Sequence, residues 1–274
     1  MPFTIGFSPC PNDTFIFDAL VNKKIDTEGF DFIPDLEDVE TLNQHALHST
    51  YDITKVSYGV YPSIANAYVI LNSGSALGKG VGPLLISNQE QDFSSIDHFP
   101  IAIPGENTTA HFLFSMAYPH AKQKIFLRYD EIESFVAAGK GLGVIIHENR
   151  FTYHQKGLVK IIDLGDFWEK KTEGPIPLGG IVINRKIEKS IQQKIDELIR
   201  KSITYSFENY PQLSDYVKIH AQEMSESVMR KHIDLYVNDY SLSLGEAGKQ
   251  AIVSMMSVFD KEQEITSGFS LFVD

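Results

Sequence analysis

Phe3-Thr4-Ile5-Gly6-Phe7, stopped by Ser8-Pro9-Cys10-Pro11-Asn12-Asp13-Thr14 and followed by Phe15, Phe17, Ala19 and Leu20, sets the pattern for the chain. A short apolar, β-prone run meets a proline-stiffened turn, and good helix-capping residues then lead into apolar positions that suit a short helix. The strand–turn–helix unit recurs downstream. Phe30 to Pro34 reads as a strand, Asp38 to His48 as a helix and Tyr51 to Val56 as a strand, with strand-like runs at Ala67 to Leu71 and Pro83 to Ser87. Ile101-Ala102-Ile103-Pro104 is another strand, a polar loop leads into a helix from about Thr109, and Lys124 to Leu127 is again a strand. Glu131 to Ala138 reads as a helix, Gly143 to Ile146 as a strand, Arg150 and its neighbours as helical, and Val159 to Ile162 and Leu178 to Ile183 as strands. Such alternation predicts an α/β fold built of βαβ units around a mainly parallel sheet.

The last third changes character. Ile187, Ile191, Ile195, Leu198, Ile199 and Ile203 fall at helical spacing, Ser225 to Val237 gives a second helix, and Ser243-Leu244-Gly245-Glu246 has the capping-box spacing of a third that runs to about Phe259. The expected organisation is two lobes. Residues 1–88 and 177–274 form the first, discontinuous lobe with its helical return, and 89–176 form an inserted second lobe. Pro83 to Ser87 and Leu178 to Ile183 are expected to act as paired crossovers. A small molecule would then bind in the crevice outside the carboxyl ends of the strands.

The 274 residues are 43% hydrophobic, long enough for two modest cores. A formal net charge of -12 repels phosphate backbones, which argues against a nucleic-acid partner. No apolar run approaches the ~18 residues of a membrane span. The opening Met1-Pro2-Phe3 segment lacks the basic and apolar regions of a signal peptide, so a cytoplasmic location is expected. The single cysteine, Cys10, excludes an internal disulfide and a cysteine-based metal site.

Three strand-to-loop transitions place polar groups where a crevice would be. In Ser8 to Thr14, the amides at the start of the following helix can attract an anion, or Asn12, Asp13 or Thr14 simply caps that helix. Cys10 reads as a small packed residue. At Lys55-Val56-Ser57-Tyr58, Lys55 can hold a carboxylate and Ser57 can hydrogen-bond a ligand oxygen; a surface lysine and a cap serine are the bland alternative. At Pro104-Gly105-Glu106-Asn107-Thr108-Thr109-Ala110-His111, backbone N–H groups and hydroxyls can cradle an oxyanion, or form an ordinary N-cap turn, with His111 structural.

His147 ends the run Val144-Ile145-Ile146. Imidazole in such a place titrates near neutrality and suits a general base, although position alone fits a structural histidine as well. His147-Glu148 does not extend to a His-Glu-x-x-His zinc pattern, because position 151 is Phe151 and His154 does not restore the spacing, and His45/His48 have no partner. No metal is expected. Gly78-Lys79-Gly80-Val81-Gly82 matches neither nucleotide fingerprint and reads as a hinge-like turn.

Ser8-Pro9-Cys10-Pro11-Asn12-Asp13-Thr14-Phe15, Gly80-Val81-Gly82-Pro83-Leu84-Leu85 and the string from Gly143 to Tyr153 together closely resemble the 1,4-dihydroxy-6-naphthoate synthase family of the futalosine route to menaquinone. The resemblance runs in order over nearly the whole chain. It implies a two-lobed, type II periplasmic-binding-protein-like fold with a central ligand cleft. It also implies a carbon–carbon lyase that converts cyclic dehypoxanthine futalosine, a small-molecule carboxylate, to 1,4-dihydroxy-6-naphthoate and a three-carbon sugar-derived fragment. The family's histidine base falls on His147. Its substrate-contacting segments fall on Lys55-Val56-Ser57 and Thr109-Ala110, with Asn12 a further candidate contact. No cofactor is implied, since formation of the aromatic ring drives the cleavage. The rivals are chorismate dehydratase, of the same fold and pathway, against which the Ser8 to Asp13 turn speaks, and a non-catalytic solute-binding protein, which would require export.

Overall fold

The computed structural model describes residues 2–90, 95–221, 225–260 and 270–273. These contain eleven strands: β1 (Pro2–Phe7), β2 (Asp31–Leu36), β3 (Ile53–Ser57), β4 (Tyr68–Ile70), β5 (Ala76–Gly78), β6 (Leu84–Ser87), β7 (Ile101–Ile103), β8 (Lys124–Phe126), β9 (Leu142–Ile145), β10 (Val159–Asp163) and β11 (Ile176–Asn184). The chain divides into two compact units, Met1–Gly78 with Pro177–Asp274, and Lys79–Ile176.

In the first unit the sheet order is β2-β1-β3-β11-β4, with β5 also paired to β11. β1 runs parallel to β2, from Pro2 opposite Asp31 to Phe7 opposite Leu36, and parallel to β3. Parallel neighbours need a crossover, and the helices Pro11–Val21 and Val39–Leu47 supply it. β11 arrives from the far end of the chain without that constraint and runs antiparallel to both β3 and β4. β2 lies on the sheet edge, where the missing N–H of Pro34 removes no central ladder bond.

The core of this unit is a slab of Ile5, Phe7, Phe17, Ile181 and Ile183 with Ile195, Leu198, Ile199 and Ile203 from the long helix Lys189–Asn209. The last four positions put one stripe of that helix against the first helix, as the sequence spacing requires. Phe7 and Phe17 stack with ring centroids 4.4 Å apart. Ser202 sits in the stripe because its Oγ is fully used: it donates to Ile16 O at 2.6 Å and accepts from Leu20 N at 3.1 Å.

The second unit carries the order β10-β6-β9-β7-β8. β7 is parallel to β8 and β9, whereas β6 is antiparallel to β9 and β10. Leu84, Ile86, Ala102, Ile132, Val136, Ile145 and Leu158 fill its core. Gly143 lies in β9 because a Cβ there would stand 2.5 Å from Ile132 Cγ2 and 2.6 Å from Val136 Cγ2 on the covering helix Ile132–Ala137.

Four expectations need correction. Both sheets are mixed rather than mainly parallel, because β6 and β11 each enter from a distant segment. The division falls after Gly78, not after residue 88, since β6 takes its ladder partners from the second sheet. For the same reason Pro83 to Ser87 and Leu178 to Ile183 are not paired crossovers; they belong to different sheets. Ile187, counted in the stripe of the long helix, precedes it, since that helix begins at Lys189, whereas the helix predicted from Ser243 is present as Gly245–Asp260.

Gly82 and Gly165 pack backbone to backbone, and a Cβ on Gly82 would stand 2.2 Å from Gly165 N. Neither main chain can rotate away as a side chain would. Gly82→Ala is expected to destabilise the protein by ~1–3 kcal/mol, read as a lower denaturation midpoint in urea.

Candidate active site

In the first unit, the polar groups converge on the end of β1. The helix Pro11–Val21 starts with Cys10 as its N-cap, without a side-chain cap bond, and with Pro11 at its first position. Asn12, Asp13 and Thr14 therefore lie inside the first turn and do not cap it, contrary to one sequence reading. Thr14 turns back on the helix, its Oγ1 donating to Cys10 O at 3.1 Å.

Asp13 is the hub. Its Oδ2 accepts from Ser8 Oγ at 2.7 Å and Ser8 N at 3.3 Å, and its Oδ1 accepts from Asn12 Nδ2 and Lys55 Nζ, each at 2.8 Å. Lys55 Nζ also donates to Gly74 O at 2.9 Å. Lys55 is only 7% exposed, and two of its three N–H directions are used, by Asp13 and by Gly74. Asn12 is buried as well, and its Oδ1 has no hydrogen-bond partner among the described residues.

Lys55 and Ser57 lie on one face of β3 and Val56 on the other, where its side chain is buried in the core. Any contact of Val56 with a ligand is therefore through its backbone. Ser57 is held at both ends: its N–H donates to Asn43 Oδ1 at 2.9 Å, and its Oγ accepts from Asn43 Nδ2 at 3.1 Å. In neither bond does the Ser57 O–H act as the donor. Asn43, on the inner face of the helix Val39–Leu47, was not found by sequence reasoning; its one signal was a place beside Leu42 on the helix's apolar side. Next along, burial drives the Tyr58 phenol above its ordinary range and keeps it protonated, with Ser75 Oγ 2.7 Å away.

In the second unit, Thr109 and Ala110 are the first two residues of the helix Thr109–Ala117, both buried. Thr108 is the N-cap: its Oγ1 accepts from His111 N at 3.1 Å and donates to Gly105 O at 2.9 Å. His111 is bonded within this unit, with Nδ1 2.7 Å from Glu106 O and Nε2 3.1 Å from Lys124 Nζ. Desolvation lowers the Lys124 ammonium from its usual range.

His147 stands two residues beyond β9 with φ +56°, a left-handed conformation rare for a residue with a side chain. Its ring is half-buried and meets Tyr129 edge-on, centroids 5.1 Å apart. Arg150 N donates to His147 O at 3.3 Å. The Arg150 guanidinium then binds Gly80 O at 2.8 Å, Asp163 Oδ2 at 2.6 Å and Gly82 O. The His147–Arg150 turn is thus anchored to the segment by which the chain enters this unit.

The sequence-derived candidates fall into two groups, Asn12, Lys55, Val56 and Ser57 in one unit and Thr109, Ala110 and His147 in the other. The first group can hold an anion or hydroxyls; the second offers a helix N-terminus and an imidazole. Among the described residues, no helix is long and apolar enough to cross a membrane.

A protein of Thermus thermophilus named 1,4-dihydroxy-6-naphthoate synthase is 42% identical over 92% of each chain. A Streptomyces coelicolor protein of the same name is 35% identical, covering 92% of this chain and 91% of its own. A crystal structure of an Archaeoglobus fulgidus protein superposes with a TM-score of 0.89 at 28% identity, over 95% of this chain and 97% of that one. The periplasmic aliphatic sulphonate binding protein of Escherichia coli gives 0.61 at 10% identity, over 94% and 87%. At that identity the likeness is one of fold, and it bears out the periplasmic-binding-protein-like α/β class. A family model described as menaquinone biosynthesis matches residues 3–261. On that match and on the two named relatives, this chain belongs to the menaquinone-biosynthesis family.

Proposed function

We propose that the chain is a 1,4-dihydroxy-6-naphthoate synthase, a carbon–carbon lyase of menaquinone biosynthesis acting on cyclic dehypoxanthine futalosine in the cytoplasm. The observation that carries this reading is the 42% identity to the Thermus thermophilus protein of that name over 92% of both chains.

In this reading His147 is the general base. It removes a proton from the substrate, and the bond to the three-carbon fragment then breaks as the ring system becomes aromatic. Aromatisation supplies the driving force, so no cofactor enters the scheme. The remaining N–H of Lys55 and the O–H of Ser57 meet substrate oxygens, and Asn12 Oδ1 accepts from a substrate donor. The amides of Thr109 and Ala110 face a carboxylate with the positive end of their helix.

The test is direct. Purified protein incubated with cyclic dehypoxanthine futalosine is expected to yield 1,4-dihydroxy-6-naphthoate, followed by chromatography, and to leave chorismate unchanged. Turnover of chorismate alone, or binding of either compound without turnover, would overturn the assignment.

A further inference from the structure

Glu133 is a carboxyl group that packing does not explain. It lies on the helix Ile132–Ala137 with 0% of its surface exposed, between Ile132 and Val136-lined core and the turn after β9. Its Oε2 accepts from Asn149 Nδ2 at 2.6 Å and from Lys156 Nζ, whereas its Oε1 has no partner among the described residues. Lys156 is a weak counterion, since 54% of its side chain is in solvent. A buried, half-satisfied carboxylate of this kind is usually no more stable than an apolar side chain of equal volume.

What Glu133 does is fix Asn149. That residue is itself buried and opens the short helix Asn149–Thr152, two positions after His147. His147 occupies a left-handed backbone conformation that an L residue keeps only where its surroundings hold it. On one side it is held by β9, locked between β6 and β7. On the other, Asn149 bonded to Glu133 and Arg150 bonded to Asp163, Gly80 O and Gly82 O contribute to the hold.

We propose that Glu133 is a positioning residue for the reaction: by binding Asn149 it clamps the His147–Asn149 turn and sets the imidazole where proton transfer takes place. The proposal rests on His147 being the base. A misplaced base loses rate steeply, because the transition state tolerates little error in geometry.

The experiment compares Glu133→Met, Glu133→Gln, Asn149→Ala, the double variant Glu133→Met/Asn149→Ala and His147→Asn by steady-state kinetics and thermal unfolding. Glu133→Met is expected to lower kcat by ~10-fold or more, with KM within about threefold and the thermal midpoint lowered by no more than a few degrees, the cost of leaving Asn149 Nδ2 without its acceptor. Glu133→Gln keeps an acceptor for Asn149 and restores most of kcat. The double variant is no slower than Glu133→Met alone, because both changes remove one bond. Should Glu133→Met fail to fold, Asn149→Ala takes its place in the comparison. Wild-type kcat in Glu133→Met with an inactive His147→Asn overturns the proposal alone. Full activity in His147→Asn removes the base and the proposal with it. A kcat that falls only in step with the thermal midpoint, unrescued by Glu133→Gln, makes Glu133 structural and also overturns it.

Discussion

His147→Asn is expected to lower kcat by ~10²-fold or more while substrate binding survives. The substitution is chosen for the backbone as well as for the chemistry. At φ +56° most side chains strain the main chain, but asparagine visits the left-handed region readily. The turn that carries residue 147 is therefore preserved, and what is lost is the imidazole proposed to take the proton. Asparagine can still hydrogen-bond, so a role confined to binding would leave kcat in place. Steady-state kinetics on the purified variant separate the two: a fall in kcat with KM little changed assigns proton transfer to His147, and unchanged turnover removes it as the base. His147→Val is the instructive contrast, because a β-branched residue in this conformation loses fold and activity together.

The second large effect concerns stability. Asp13→Ala is expected to cost ~3–5 kcal/mol, because it strands the buried Lys55 ammonium with Gly74 O as its remaining partner and leaves Ser8 N without its acceptor. The cost arises from the orphaned charge more than from the lost attraction. Adding Lys55→Met to Asp13→Ala is therefore expected to recover a substantial part of it. Urea unfolding of the three proteins measures both quantities. A double variant no more stable than Asp13→Ala would show that the ion pair is not what Asp13 contributes.

Much of the α/β rhythm is legible in the residues. β1, β3, β7 and β9 are short apolar runs closed by turn-forming residues, and each lies where the run predicts it, to within a residue or two. The stripe of the helix Lys189–Asn209 is equally plain, although Ile187 precedes the helix and does not belong to it. Strand partners are another matter. Nothing in Leu84-Leu85-Ile86 states that β6 joins β9 and β10, because pairing is decided by segments far apart in the chain. The resemblance that pointed to the family is borne out over residues 3–261.

The site divides in the same way. Lys55 and Ser57 are visible because they lie within the buried strand β3, and His147 because it stands two residues beyond β9, where a polar residue is out of keeping with its neighbours. Asn43 and Glu133 are hidden because a polar residue on a helix reads as solvent-facing unless the packing of that helix is known. Asp13 was visible but misread: its type and place suit an N-cap, and the role passed to Cys10 because Pro11 already fills the first helical position.

The position of β11 has a consequence in time. Ile53 of β3 pairs with Ile183, so the inner edge of β3 stays unmatched until 130 more residues have been made. The segment Lys79–Ile176, by contrast, contains every partner that its own sheet needs. At a synthesis rate of about 5–20 residues per second the first three strands wait roughly ten seconds, and the inserted unit can close before its host does. An exposed strand edge during that wait is the point at which a nascent chain most easily pairs with the wrong neighbour.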